Sequence, residues 1–269
     1  MSRLIFSGGS KGGVGKSMIA AAFGNYLIDQ SEPLTLLEAD RTNPDVYRFF
    51  ASNDITTGEQ TIKDVGKDVR ASLIDLQEHS GWNSLIRFIE TDVSKNQETN
   101  RVYLVDLPGG IDEAFEKQIE RFARAMKVLN VEMEMIFTLG RSVDSVVALE
   151  DVMEYVKKYF VKLYVVKNLF WGEPRKFKRF DKAQVATDVK SFGGIVLPFP
   201  EMDDDLWDLV WVANPRRFSV VEHLDLAERM DMETFTESAA KTFQQILARP
   251  EPAKSSTNGD SKRATASKG

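Results

Sequence analysis

The chain predicts an α/β fold, a mostly parallel twisted sheet with helices on both faces. Three observations carry that expectation. Short β-rich apolar runs alternate with helix-length periodic segments, the pattern of repeated βα units. The first run, Leu4-Ile5-Phe6, leads into the glycine-rich turn Ser10-Lys11-Gly12-Gly13-Val14-Gly15-Lys16-Ser17 and then a helix start. Two later runs finish in carboxylates, Leu36-Leu37-Glu38-Ala39-Asp40 and Val102-Tyr103-Leu104-Val105-Asp106. Right-handed crossovers bring such strand ends to one edge, where ligands bind in these sheets.

Taken in order, the apolar runs place strands at Arg3–Ser7, Leu34–Glu38, Ala71–Leu76, Val102–Asp106, Glu132–Thr138, Leu163–Lys167 and Gly194–Leu197. Helical patterns fall between them at Lys16–Asp29, Gly81–Thr91, Glu113–Leu129, Val143–Tyr159 and Ala183–Phe192. Two more come after them at Glu222–Arg229 and Glu233–Ala248. Between Asn43 and Val69 the pattern is weak, with Pro44–Ala51 read as a short helix. Residues 1–248 are expected to form one domain. From Pro250 onward the Pro/Ser/Lys/Ala mix has no apolar periodicity and cannot offset its ordering entropy, so 249–269 reads as a disordered polar tail.

A length of 269 residues suits one large α/β domain. The absence of cysteine removes disulfides, thiolate metal sites and iron–sulfur clusters. The two histidines, His79 and His223, have no ligand-like neighbours in sequence and read as surface residues. No secretory signal and no run of membrane-spanning length is visible, which points to a cytoplasmic protein. A net charge of −6 opposes blanket nucleic-acid affinity. The charge is uneven, however: residues 151–200 carry ten Lys and Arg against five acids, and Glu201, Asp203, Asp204, Asp205 and Asp208 form a cluster just beyond.

The glycine-rich turn has the chemistry of a phosphate-binding loop. Its glycines let backbone N–H groups of Gly12, Gly13, Val14, Gly15, Lys16, Ser17 and Met18 turn toward a polyphosphate. Lys16 reaches the β/γ-phosphates, the Ser17 hydroxyl can hold Mg²⁺, and the helix adds its positive end. Asp106, after four apolar residues, has the layout of a strand-end acid that holds the metal through water. Leu73-Ile74-Asp75-Leu76 competes for that role, and the Pro108-Gly109-Gly110 run decides for Asp106; Asp75 reads as a structural turn residue.

Lys11-Gly12-Gly13-Val14-Gly15-Lys16-Ser17 resembles the deviant Walker A motif of the ParA/MinD-like ATPases, a group that tolerates Ser at position 10. The resemblance covers roughly residues 1–215 and implies a SIMIBI-like P-loop NTPase fold with ATP and Mg²⁺ as cofactors. It implies that Lys11 crosses a dimer interface to the partner's nucleotide, and that Asp40 in switch I positions the attacking water beside the metal. At the first position of that acid pair the family has Asp and this chain has Glu38. It also implies that Asn168, at the end of Leu163-Tyr164-Val165-Val166-Lys167-Asn168, reads the adenine edge, and that Pro198 closes the base pocket. From the residues alone, Asn168 reads equally as a turn residue before Gly172 and Pro174. Within the family, Thr138-Leu139-Gly140 and Asn168-Leu169-Phe170-Trp171-Gly172 resemble the plasmid conjugal-transfer and mobilisation ATPases of the TraL/MobD-like branch.

The activity this resemblance implies is a slow Mg-ATP switch gated by dimerisation. Its added cation is worth roughly 10³–10⁵ in rate where arginine fingers do the same task. Three outputs compete. Arg175, Lys176, Lys178 and Arg179, interleaved with Phe177 and Phe180, suit non-specific DNA contact, against the plainer reading of a solvated loop with docked phenylalanines. A membrane-binding C-terminal helix is not expected, because Phe235, Ala239, Phe243, Ile246 and Leu247 suit docking on the sheet and the polar face has few cations. The third is a protein-interaction regulator with little ATPase of its own, acting on a relaxase, secretion or partition partner. There Asp203-Asp204-Asp205 near Trp207 and Trp211 reads either as a docking surface or as a helix's first turn.

Overall fold

A computed structural model describes residues 1–10, 13–51, 63–66, 68–96, 100–109, 113–212, 217–219 and 221–248. In chain order the elements are β1 (Arg3–Gly9), α1 (Lys16–Asp29), β2 (Leu34–Glu38), α2 (Asp45–Phe50), β3 (Lys63–Gly66), β4 (Val69–Leu73) and α3 (His79–Lys95). They continue with β5 (Val102–Asp106), α4 (Glu113–Val128), β6 (Glu132–Leu139), α5 (Val143–Tyr159), β7 (Lys162–Asn168), α6 (Lys178–Lys182) and α7 (Gln184–Phe192). The last are β8 (Ile195–Phe199), α8 (Asp204–Trp207) and α9 (Leu226–Leu247). One sheet runs β3-β4-β2-β5-β1-β6-β7-β8, parallel throughout except for the antiparallel edge strand β3.

Alternation along the central strands sends successive side chains to opposite faces. On one face Leu4, Phe6, Tyr103 and Val105 pack with Trp82, Phe115, Phe122 and Leu149 of α3, α4 and α5. On the other, Ile5, Val102 and Leu104 pack with α1, α2 and α9. Nine residues of α1 are buried, Met18 through Asn25 and Leu27, because it lies between the sheet and α9. The opposite end of the sheet is pinned by buried charge: the Arg3 guanidinium pairs with Glu134 at 2.6 Å and donates to the Ile246 carbonyl, which ties the end of α9 to β1.

α9 is one 22-residue helix, opened by a capping box between Asp225 and Glu228, where two helices were expected. Phe235, Ala239, Phe243 and Ile246 are buried against α1 and β8, and Leu247 packs beside them, so the apolar face is internal. Among the described residues no helix is long and apolar enough to cross a membrane. The expected strand at Ala71–Leu76 starts earlier, at Val69, and ends at Leu73, with Ile74 N–H giving the last bond of the ladder to the Glu38 carbonyl. The tail 249–269 lies outside the described residues, as do Lys11, Gly12 and Gly110.

Candidate functional site: a nucleotide cradle at the sheet edge

β1, β5, β2 and β7 end at the same edge, with Gly15 beside Asn168 at the end of β7 and Ser17 beside Asp106 at the end of β5. Gly13 and Gly15 sit at φ 57° and 88°, a region that glycine enters without the strain other residues meet. At Gly15 space also decides: a Cβ there would lie 2.3 Å from Asn168 Nδ2. Gly15 caps α1 with no side-chain hydrogen bond, so the first N–H groups of the helix remain open to an anion.

Ser17, in the first turn of α1, donates its hydroxyl to Asp106 Oδ2 at 2.7 Å. Asp106 is fully buried, and its Oδ1 has no hydrogen-bond partner of normal geometry; nor has Ser7 Oγ on the adjacent strand. Burial pushes the Asp106 carboxyl up to about 6, with Asp40 adding to the rise, while Lys16 and the Ser17 and Ser7 hydroxyls pull it down. An unpartnered buried carboxylate oxygen beside a hydroxyl fits a Mg²⁺ whose remaining ligands are phosphate and water. Among the described residues no group of three or more His, Asp or Glu could hold a metal ion by itself.

Glu38 lies opposite Asp106 in the β2–β5 register and is equally buried. Desolvation, and after it the charge of Asp106, holds its carboxyl well above the usual carboxylate range. Both oxygens are used locally: Oε1 accepts Asp40 N–H at 2.8 Å and Oε2 accepts Val46 N–H at 3.1 Å. Glu38 therefore clamps the loop that carries Asp40 and leads into α2. Asp40 Oδ1 in turn accepts Thr42 N–H at 3.0 Å and Asn43 N–H at 3.1 Å, an Asx turn. Asp75 stands apart, ion-paired with Arg41 at 3.1 Å and capping Gln77 N–H, which accords with a structural role.

Asn168 is buried, and its amide makes two hydrogen bonds within the site. Nδ2 donates to the Val14 carbonyl at 2.9 Å, and Oδ1 accepts Phe170 N–H at 3.1 Å. It braces the phosphate loop against β7 and keeps one N–H and one lone pair at the wall of the neighbouring cavity, which it helps to line. Beside it opens a cavity of about 270 Å³ lined by Gly13, Gly15, Met18, Phe170, Phe199, Pro200, Met202 and Trp207, among others. Pro198 is exposed and does not line this cavity, because Leu197 and Phe199 face inward and alternation turns Pro198 away; Pro200 lines it instead. Phe199, Pro200 and Met202 are cavity residues that the sequence pattern does not single out, and Phe170 and Trp207 stand out there only in other roles. The Phe199-Pro200 pair at the end of β8 is the signal available for two of them.

Many solved structures match over nearly the whole chain, among them the following three. One is the MinC:MinD cell division complex of Aquifex aeolicus (TM-score 0.60, 17% identity, 94% of this chain and 99% of that one). Another is a ParA family ATPase from Chlorobium tepidum (0.55, 14%, 89% and 98%). The third is the septum site-determining protein MinD of Pyrococcus horikoshii complexed with Mg-ADP (0.54, 12%, 91% and 96%). The fold is that of the MinD/ParA ATPases. In sequence, protein MobD of Acidithiobacillus ferrooxidans is 24% identical over 240 residues, 89% of this chain and 96% of that protein. No family model matches.

In the basic segment the phenylalanines are docked on the body. Phe177 and Phe180 are buried, each with Lys167 Nζ 5.5 Å from its ring centroid, and Lys167 is itself paired to Asp181 at 2.6 Å. Their rings hold the segment in place and cannot stack on bases. Arg175, Lys176, Lys178 and Arg179 stay exposed around them. The acidic run likewise serves a helix, since Asp203 caps α8 by accepting Asp205 and Leu206 N–H groups.

Proposed function

We propose that the chain is a cytoplasmic Mg-ATP-dependent switch ATPase that dimerises on ATP and serves plasmid partition, mobilisation or transfer. The observation that carries this reading is the Ser17–Asp106 contact, with its orphaned carboxylate oxygen, at the open start of α1. The likeness to MobD and to MinD and ParA structures supports it. In this reading the backbone of Gly12–Met18 and Lys16 hold the phosphates, and Ser17 and Asp106 hold Mg²⁺, which when bound offsets negative charge on the transferring phosphoryl group. Asp40 orients the attacking water, and Lys11 neutralises charge across the dimer. The base enters the cavity between Phe170 and Trp207.

Asp40 Oδ1 is occupied by its own turn, so its loop must shift before that oxygen can meet a water. The same observation favours a second reading, a nucleotide-binding regulator with little intrinsic turnover, acting on a relaxase, secretion or partition protein. DNA is a further candidate partner through the phosphate contacts that Arg175, Lys176, Lys178 and Arg179 could make. The discriminating experiment compares ATP binding and steady-state hydrolysis in wild type and Asp40→Ala. Equal binding with turnover lost in the variant supports the switch ATPase; bound ATP without turnover in either protein, with partners present, supports the regulator.

A further inference from the structure

The loop between β2 and α2 has two fixed ends. At one, the ladder holds Glu38 between Leu73 and Asp106, and Ala39 N–H continues it to the Asp106 carbonyl at 2.9 Å. At the other, α2 is held by its rings. Phe50 lies over Gly24 of α1, where a Cβ would come within 3.0 Å of it, and Phe49 packs on Trp211 and Phe218 with centroids 5.3 Å and 4.8 Å away. Residues 41–43 between these ends are exposed. Carboxylates fasten the stretch. Glu38 Oε1 accepts the Asp40 N–H and Oε2 the Val46 N–H, one from each end, while Asp40 Oδ1 closes on Thr42 and Asn43. The exposed ion pair from Arg41 to Asp75 adds little.

We propose that Glu38 is a positioning residue for hydrolysis, a latch that keeps Asp40 folded on its own turn and so holds turnover low. The inference rests on the switch ATPase reading above and adds a restraint built from this chain's own glutamate. Reach suits the side chain to the task. Its two methylenes carry one oxygen to the Asp40 N–H and the other to the Val46 N–H. With one methylene fewer the carboxylate withdraws by up to about 1.5 Å, past hydrogen-bond range for at least one of them. Both bonds are charge-assisted and Glu38 is buried, so each holds the loop more firmly than a neutral bond at the surface. If turnover passes through the opened loop, its rate follows the opened fraction, and losing one such bond raises that fraction by roughly 10–150-fold at most. The sign separates three roles. Cutting a latch raises turnover, whereas removing a structural brace or a catalytic acid lowers it.

The test compares wild type, Glu38→Asp and Glu38→Gln in steady-state hydrolysis of Mg-ATP, in ATP affinity by calorimetry, and in hydrogen exchange of residues 39–47 by mass spectrometry. In Glu38→Asp, kcat is expected to rise about fivefold or more while KM stays within about twofold, with faster exchange confined to that segment. Glu38→Gln keeps the length and one accepting oxygen, so it is expected to fall between, and it decides the matter if the shorter side chain prevents folding. Adding Asp40→Ala is expected to abolish the gain, because the latch acts through Asp40. A kcat unchanged or lowered in both variants, with ATP affinity intact, overturns the latch and leaves the switch reading standing. A gain that survives Asp40→Ala overturns it as well. A wild type that binds no ATP refutes the switch reading itself, and the latch with it.

Discussion

In the nucleotide-free protein, replacing Asp106 by Asn is expected to stabilise the fold at neutral pH, although the same change removes a proposed metal ligand. Burial lifts this carboxyl from its ordinary 3.8 to about 6. Between those values the native state keeps a proton that the unfolded chain has released, so stability falls as pH rises from about 4 to about 6 and stays low above. At about 1.4 kcal/mol per tenfold change in proton affinity, the ionised carboxylate costs about 3 kcal/mol at pH 7. The amide of the Asp106→Asn variant would keep an oxygen for the Ser17 hydroxyl and would turn its NH₂ toward Ser7 Oγ on the adjacent strand. Some strain in that exchange leaves an expected net gain of about 1–3 kcal/mol. Removing the charge also relieves Glu38 across the strand pair. Urea unfolding of both proteins, without nucleotide or metal, at about pH 4.5, about pH 6 and about pH 7.5 gives the comparison. The variant should be the more stable at the highest pH and should lose that margin toward the lowest. A variant equal to or weaker than wild type at the highest pH, or a margin independent of pH, would refute the reasoning.

Lys16→Ala removes the cation at the phosphates and is expected to weaken ATP binding about 10–150-fold by calorimetry, the range of one charge-assisted hydrogen bond. Gly15→Ala places a methyl group 2.3 Å from Asn168 Nδ2 at φ 88°, and should destabilise the fold by about 2–3 kcal/mol in urea while weakening ATP binding. Phe180→Ala should cost about 3–5 kcal/mol through lost core packing, whereas the exposed Lys178→Ala should fall within about 0.5 kcal/mol of wild type; equal effects would contradict the docked geometry.

The central sheet is legible because its strands are unbroken apolar runs between polar segments. Leu34–Glu38, Val102–Asp106, Lys16–Asp29 and Val143–Tyr159 match the observed elements end to end. β3 escapes because Lys-Asp-Val-Gly has neither alternation nor an apolar run, as suits a short edge strand. The polar stretch around Met230 and Asp231 divides α9 in the pattern, although Met232 is buried and the helix continues through. At the site, the phosphate loop and Asp106 are visible in local pattern. The clamp by Glu38 and the brace from Asn168 to Val14 depend on the folded backbone, which brings their partners within reach and which pattern alone does not supply.

The most direct test of the switch is the solution mass of wild type and Asp40→Ala with Mg-ADP and with Mg-ATP. Monomers are predicted with ADP and dimers with ATP, the dimer longer-lived in Asp40→Ala because hydrolysis no longer dissolves it. A mass indifferent to nucleotide in both proteins would contradict the switch.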